Sequence, residues 1–297
     1  MTNTTTRAES DPLSRLGPLA ARLSKTSRED RYDVHEIFDW PGALPEDRHW
    51  FSPELSTCYG SEIWETLDSA IQRKLTRLEL INFFSESVDL ERELVAEVAA
   101  RIYKARFANV SDFLRDFIAE ENDHMWMFAE FCMRYNGGLL ETALHTAVPP
   151  DRTPPNVVDL LLFGRVLVVE EVFEWYNRRL AADDRLPEIV RAINRVHHKD
   201  ESRHIAFSRN LFAALAEEAG EEERQQAGRH LLRYMDFCIG TLYNPLVYRD
   251  AGIAHPAKVR QSVKNSSTRI QIDQQLTTRT RKFFASIGLI GGQGTAT

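Results

Sequence analysis

Cysteine is scarce in this chain. Three of its 297 residues are cysteine (Cys58, Cys132 and Cys238), and no Cys-x-x-Cys pair occurs. An odd, unpaired set argues against a disulfide scaffold and a cysteine-rich zinc site, and it suits a reduced, cytoplasmic compartment. Long hydrophobic runs are missing too. No stretch reaches the ~18–20 apolar residues that span a bilayer, and the opening MTNTTTRAES lacks the apolar core of a secretory signal. No membrane role is expected. Positive charge is not in excess: the formal net charge is -7, which argues against nucleic-acid binding by bulk charge. A Gly-x-Gly-x-x-Gly dinucleotide site, strand-type alternation and internal repeats are also absent.

What remains is helical patterning. Residues 1–28 are polar and rich in Thr, Ser and Arg, and read as a disordered leader. Residues 29–60 carry Trp40-Pro41-Gly42, Leu44-Pro45 and Ser52-Pro53, which predict an irregular wrap. From Ser61 onward long stretches lack Pro and Gly and space their apolar residues as helices do. The spacing predicts helices over 61–107 (with a bend), 111–135, 156–182, 187–218, 221–242 and 264–286. Ser111-Asp112 is the expected N-cap of the second, and Asn136-Gly137-Gly138 its end. A Pro-bearing connection follows, from Val148-Pro149-Pro150 to Pro154-Pro155. Residues 291–297 read as a flexible tail. The fold class is all-α, with one domain over 29–290.

Ligand-type residues interrupt the apolar seams of four helices. The first seam reads Phe84, Val88, Glu91, Val95, Val98, Ile102, so Glu91 occupies a core position. The second reads Leu114, Phe117, Glu121, His124, Phe128, Phe131. Glu121 and His124 are three apart and share a face. The third gives Leu160, Phe163, Leu167, Glu170, Glu174, with the adjacent Glu171 leaving its register open. The fourth gives Val190, Ile193, His197, Glu201, His204, Leu211, a second Glu-x-x-His with His197 one turn earlier. Glu91 precedes Glu121 by 30 residues and Glu170 precedes Glu201 by 31. Two hairpins therefore each supply one Glu and then a Glu-x-x-His, the ligand set of bundle-held metal pairs.

Charge supplies the reason. A lone buried carboxylate costs several kcal/mol and protonates instead. Two divalent ions offset about four negative charges, and carboxylate with imidazole suits iron or manganese. Glu86 competes with Glu91 for its place, and Glu171 and Glu174 with Glu170. Glu46-Asp-Arg-His49 lies in a Pro-flanked loop and receives no ligand role. His145, His198 and His230 read as ordinary histidines. The bland alternative makes all these residues a solvated face closed by local salt bridges.

The set Glu91, Glu120-Glu121-x-x-His124, Glu170 and His197-x3-Glu201-x2-His204 resembles the di-iron arylamine N-oxygenases. The resemblance covers about residues 60–250, including Asn244-Pro245-Leu246-Val247-Tyr248, and the third histidine is its distinguishing mark. It implies a ferritin-like helical bundle with additional helices. It implies two Fe ions held by Glu91, Glu121, His124, Glu170, His197, Glu201 and His204. The implied activity is that of an O2-dependent di-iron monooxygenase. It oxidises an amine nitrogen of a small molecule to hydroxylamine, nitroso, nitro or azoxy product in natural-product (antibiotic) biosynthesis. Electrons then come from an external donor, a reductase or ferredoxin, and a homodimer is expected. The competing readings are a di-iron C-hydroxylase or desaturase, an iron-storage protein, and a metal-free scaffold.

Overall fold

The computed structural model describes residues 12–141 and 153–291, and its described elements are all helical. His145, the Val148-Pro149-Pro150 turn, residues 1–11 of the expected leader and residues 292–297 of the expected tail lie outside the described residues.

The leader expectation fails over its second half. Gly17–Glu29 is a helix, α1, preceded by a 3-10 turn at Ser14–Leu16. Pro18 sits in the first turn, where its missing N–H is harmless. The face that α1 buries consists of Ala20, Ser24 and Ser27. Such small and polar residues make no apolar stripe, so periodicity passes over them. Ser24 and Arg28 both donate to Asp116 and fasten α1 to the bundle. Residues 30–60 are irregular apart from a 3-10 turn at Pro53–Leu55.

The first expected helix is broken into α2 (Glu62–Thr66), α3 (Ser69–Ala99) and a 3-10 turn at Ala105–Val110. Asp68 caps α3 by accepting from the Ile71 N–H at 2.8 Å. At the far end the chain reverses through Tyr103, whose φ is 62°. No Gly or Pro announces that break. Helix α4 (Ser111–Asn136) follows. Ser111 is its first residue rather than its cap: its hydroxyl turns back and donates to the Phe107 carbonyl at 2.9 Å. Gly137, at φ 76°, ends α4 in the left-handed conformation that glycine allows.

Helices α5 (Pro155–Ala182) and α6 (Glu188–Glu218) form a second hairpin. Along α5 every residue from Leu160 to Phe173 is buried, so this stretch of the helix has no solvent face. It touches α3, α6, α7 (Glu221–Thr241) and α10 (Ser267–Ser286). Where α5 crosses α7, Gly164 leaves the room: a Cβ there would lie 2.5 Å from a Leu231 methyl carbon. Two short helices, α8 (Pro245–Ala251) and α9 (Pro256–Lys264), precede α10 and were not expected. The prolines that mark the end of one helix also open the next. Arg269 of α10 is fully buried.

The hairpins α3/α4 and α5/α6 enclose the core. Phe84 of α3 meets Phe128 and Phe131 of α4, with centroids 4.7 and 5.1 Å apart. Phe83 stacks on Phe173 of α5 at 5.2 Å. Each such ring stabilises the fold by ~1.5–3 kcal/mol relative to exposure.

Candidate metal centre

Three of the four long helices deliver ligand atoms to one buried point. Glu91 comes from α3, Glu121 and His124 from α4, and His197, Glu201 and His204 from α6. Ligand atoms of Glu121, His124, Glu201 and His204 all lie within 4.8 Å of one another, and so do those of Glu91, His124 and His197. His204 Nδ1 is 2.8 Å from Glu121 Oε1, and His197 Nε2 is 2.8 Å from Glu201 Oε1 and 3.5 Å from Glu91 Oε1. His124 Nδ1 lies 3.4 Å from Glu121 and 3.5 Å from Glu201. His124 belongs to both groups, so the two adjoin.

Apart from the long His124 Nδ1–Glu121 Oε2 hydrogen bond at 3.4 Å, these inward atoms are close but not hydrogen-bonded. Glu91 Oε2, Glu121 Oε1, both Glu201 oxygens, His197 Nε2 and His204 Nδ1 are buried without a hydrogen-bond partner. Buried polar atoms are normally paired, so six open atoms at one point fit a cationic ligand set. Titration behaviour agrees. Burial, with Glu121 nearby, holds the Glu91 carboxyl well above its usual range, and burial raises Glu201 as well. Burial, with His124 nearby, pushes His197 far down. Burial opposes charge on Glu121, yet His204 and His124 pull its carboxyl low. Burial likewise opposes protonation of His124 and His204, but the surrounding carboxylates raise both. Protons alone neutralise this centre unevenly; two divalent ions would do so with every ligand in its basic form.

The outer side of each imidazole is also held. His124 Nε2 lies 3.2 Å from Asp200 Oδ2, and His204 Nε2 lies 2.8 Å from Glu120 Oε2. The Asn177 amide meets Nδ1 of His197. Turned so that its Oδ1 accepts from Nδ1–H, that amide leaves the Nε2 lone pair facing Glu91 and Glu201. One guanidinium ties two of these supports together: Arg203 Nη2 donates to Glu120 at 2.6 Å and to Asp200 at 2.5 Å. Arg203 also reaches Ser27 and Asp30, and the Tyr32 hydroxyl donates to Asp200 at 2.9 Å. Ser27 of the expected leader and Asp30 and Tyr32 of the expected wrap therefore buttress the centre. Partners of this kind fix the tautomer and aim of a metal-binding imidazole.

Sequence reasoning missed Glu120, Asn177, Asp200, Arg203 and Tyr32. A signal existed for two of them. Each Glu-x-x-His is preceded by a further acid, as Glu120-Glu121 and Asp200-Glu201. The structure crosses them, so that the α4 acid holds the α6 histidine and the α6 acid holds the α4 histidine.

Glu170 stands outside both clusters. It is buried, and no hydrogen bond or ion pair among the described residues engages it. Its rivals are committed: Glu171 accepts from Arg209 at 2.5 Å and Thr280 at 2.6 Å, and Glu174 pairs with His198 at 2.6 Å. Because α5 and α6 are antiparallel, the Asn177–His197 contact sets their register. Two turns back on α5 and two turns forward on α6 bring Glu170 level with His204. Glu86 is buried but belongs to neither ligand group. His49 meets Thr76 at 3.0 Å, apart from the centre. Phe117 packs on His204 at 4.5 Å and Phe128 on His197 at 4.9 Å, which keeps bulk water away.

Comparison with known proteins puts this geometry in context. Residues 18–288 match the family model of the p-aminobenzoate N-oxygenase AurF. No curated protein sequence matches the chain. Among solved structures, an R2-like ligand-binding oxidase with an aerobically reconstituted Mn/Fe cofactor superposes with a TM-score of 0.50 at 14% identity. It covers 86% of this chain and 92% of its own. A tyrosine-to-phenylalanine variant of such an oxidase superposes equally, with a TM-score of 0.50 at 16% identity over the same 86% and 92%. At such identity the likeness concerns the fold, a ferritin-like bundle.

Proposed function

The chain belongs to the p-aminobenzoate N-oxygenase family, and on that premise we propose that it is a non-haem di-iron oxygenase that uses O2 to oxidise the nitrogen of a small-molecule amine. The supporting observation is the set of buried, unpartnered ligand atoms on Glu91, Glu121, His197, Glu201 and His204, backed by supports on all three imidazoles. Glu91, Glu121, His124, Glu170, His197, Glu201 and His204 would hold the metals. Glu170 joins this set as the one acid of α5 left free by its neighbours.

Iron bound there would supply the electrons and the binding position that O2 activation needs. The protein's own groups do the rest. Asp200, Glu120 and Asn177 aim the imidazoles. His197 adds a third imidazole and fills space that water would otherwise take. Phe117, Phe128 and Phe84 keep the surroundings apolar, which strengthens each charge interaction inside. An external reductase or ferredoxin returns the electrons. The amine belongs to a natural-product pathway, and the working form is a cytoplasmic homodimer. No helix among the described residues is long and apolar enough to cross a membrane.

A second metal pair deserves a place in the test, since the similar oxidase structures carry Mn/Fe. Metal analysis of protein produced with iron and with manganese supplied, followed by an O2-dependent assay on aryl and alkyl amines, examines the proposal. The expected result is about two metal ions per chain and hydroxylamine, nitroso or nitro products. One ion per chain, zinc alone, or hydroxylated carbon in place of oxidised nitrogen would count against it.

A further inference from the structure

A buried centre that takes electrons from outside needs a place for the donor to dock and a path inward. One surface groove offers both. It encloses about 430 Å³ between the irregular wrap and the first turns of α3. The wrap contributes Glu46, Asp47, Arg48 and Trp50, and α3 contributes Arg73, Lys74 and Arg77. Arg77 follows Arg73 by four residues and Lys74 by three, so the three share one face of the helix.

Four cations against two acids make the groove positive, in a chain with 37 basic and 44 acidic residues. Among the described residues no ion pair engages Arg48, Arg73 or Lys74. Arg77 donates to the Tyr135 carbonyl at 2.6 Å and lies over the Trp50 ring, 4.6 Å from its centre, so no acid offsets its charge either. Burial, with Arg73 nearby, holds the His49 imidazole below its usual range, which agrees with positive surroundings.

Trp50 is buried at the base of this groove and begins a series of ring contacts. Its ring lies 6.0 Å from Phe131, Phe131 lies 5.1 Å from Phe84, Phe84 lies 4.7 Å from Phe128, and Phe128 lies 4.9 Å from His197, centre to centre. Rings at these separations are in contact. Packed side chains therefore lead without a gap from the groove to an imidazole of the candidate centre. Electron tunnelling weakens steeply with distance, and more steeply across a void than through packed atoms. The other way in, from Tyr32 through Asp200 to His124, opens on a cleft with the opposite balance. Asp30, Asp116, Glu120 and Asp123 outnumber Arg28 and Arg31 there.

Resting on the di-iron reading above and its need for an external donor, we infer that the Arg48/Arg73/Lys74/Arg77 groove docks a small acidic iron–sulfur protein, a one-electron carrier, and that its electrons cross by way of Trp50, Phe131, Phe84 and Phe128 to His197. Each encounter oxidises one reduced carrier by one electron and reduces one ferric ion to ferrous. Two encounters reload the pair. The rings are a tunnelling medium and are not themselves reduced. Charge draws the carrier to this face, and the attraction is screened by salt.

A pre-reduced plant-type [2Fe–2S] ferredoxin is the probe. Its binding to the iron-loaded protein is followed by calorimetry at low and high salt, and its reoxidation by anaerobic stopped-flow absorption. R73E/K74E changes exposed or half-exposed groups and should weaken binding, and slow reduction at subsaturating ferredoxin, by at least about tenfold. E46K/D47K should do the reverse, a direction that damage to the fold does not produce. W50L should retain the parent's affinity within about twofold yet slow reduction at saturating ferredoxin at least about fivefold; F131L repeats that test away from the surface. Dithionite should reduce the iron of every variant fully. Binding and reduction indifferent to both charge variants overturn the docking assignment and leave the di-iron reading intact. W50L and F131L reduced at the parent's rate overturn the route. Protein without reducible iron that still binds ferredoxin with this charge dependence supports the docking surface and counts against the di-iron reading.

Discussion

Two deeply buried polar regions lie in this bundle, and they treat their charges in opposite ways. Around Arg269 each charged group has a protein partner: Tyr243 at 3.0 Å, the Leu55 carbonyl at 3.1 Å, Tyr176 at 3.1 Å and Asp273 at 3.2 Å. Around Glu91, Glu121 and Glu201 the inward atoms are unpaired while the outward sides of the imidazoles are carefully supported. The first region is complete as protein. The second is complete only with something added. Burial of charge alone therefore does not mark a functional site; burial with converging open atoms does.

The sharpest way to break this contrast is to remove one open carboxylate. Glu201→Ala should reduce bound iron from about two per chain to one or none and lower turnover by at least about 1,000-fold. The metal-free fold should survive, because one of several repelling acids is gone; iron analysis and circular dichroism report the two halves of the expectation. Arg269→Met should behave in reverse. It leaves Asp273 without its buried cation and should remove about 3–5 kcal/mol of stability, read by denaturant melts. The folded fraction should retain its full complement of iron. If Arg269→Met strips iron from folded protein, the two regions are not separate.

A smaller effect sharpens the role of the supports. Asp200→Asn retains a hydrogen-bonding group beside His124 but removes its charge. It should weaken metal affinity by about 10–100-fold in competition with a chelator, with little change in melting of the metal-free protein. Unchanged affinity would reduce Asp200 to a packing residue.

Glu86 offers a test confined to alkaline pH, as a third solution to the same problem. No ion pair engages it among the described residues and it belongs to neither ligand group, and burial, with Asp89 nearby, pushes its carboxyl up to about 8. The folded state then binds a proton that the unfolded chain releases near the ordinary 4.5. Stability should fall as pH rises from about 4.5 to about 8. Glu86→Gln should flatten that fall, gaining up to several kcal/mol at about pH 9 and little near pH 5, read by denaturant melts. A pH profile identical to the parent would show that Glu86 is paired after all.

Much of the arrangement was legible because the converging acids and histidines follow the same periodicity as the long helices that carry them. Glu91, Glu121, His124, Glu201 and His204 interrupt apolar seams, and an interrupted seam is visible in a single chain. Glu170, Glu171 and Glu174 were visible as positions but not as a choice, since they differ only by the partners that Arg209, Thr280 and His198 supply to the latter two. Those partners are distant in sequence. Helix α1 was invisible for a different reason: Ser24 and Ser27 are buried by hydrogen bonding rather than by hydrophobicity. The short α8 and α9 were hidden by reading proline only as a terminator. Asp200 and Glu120 were in plain sight beside the ligand glutamates, but nothing local says that each supports the other helix.

The contact between Tyr32 and Asp200 joins residues 168 positions apart. During synthesis the tyrosine leaves the ribosome long before its aspartate exists. At about 5–20 residues per second, that interval is roughly 10–30 seconds. The carboxylates of α3 and α4 are made within it, before α6 can contribute a single imidazole. Assembly of this buried cluster of acids and imidazoles is therefore a late event, timed by the birth of α6 and sealed when the segment around Tyr32 comes back to meet it.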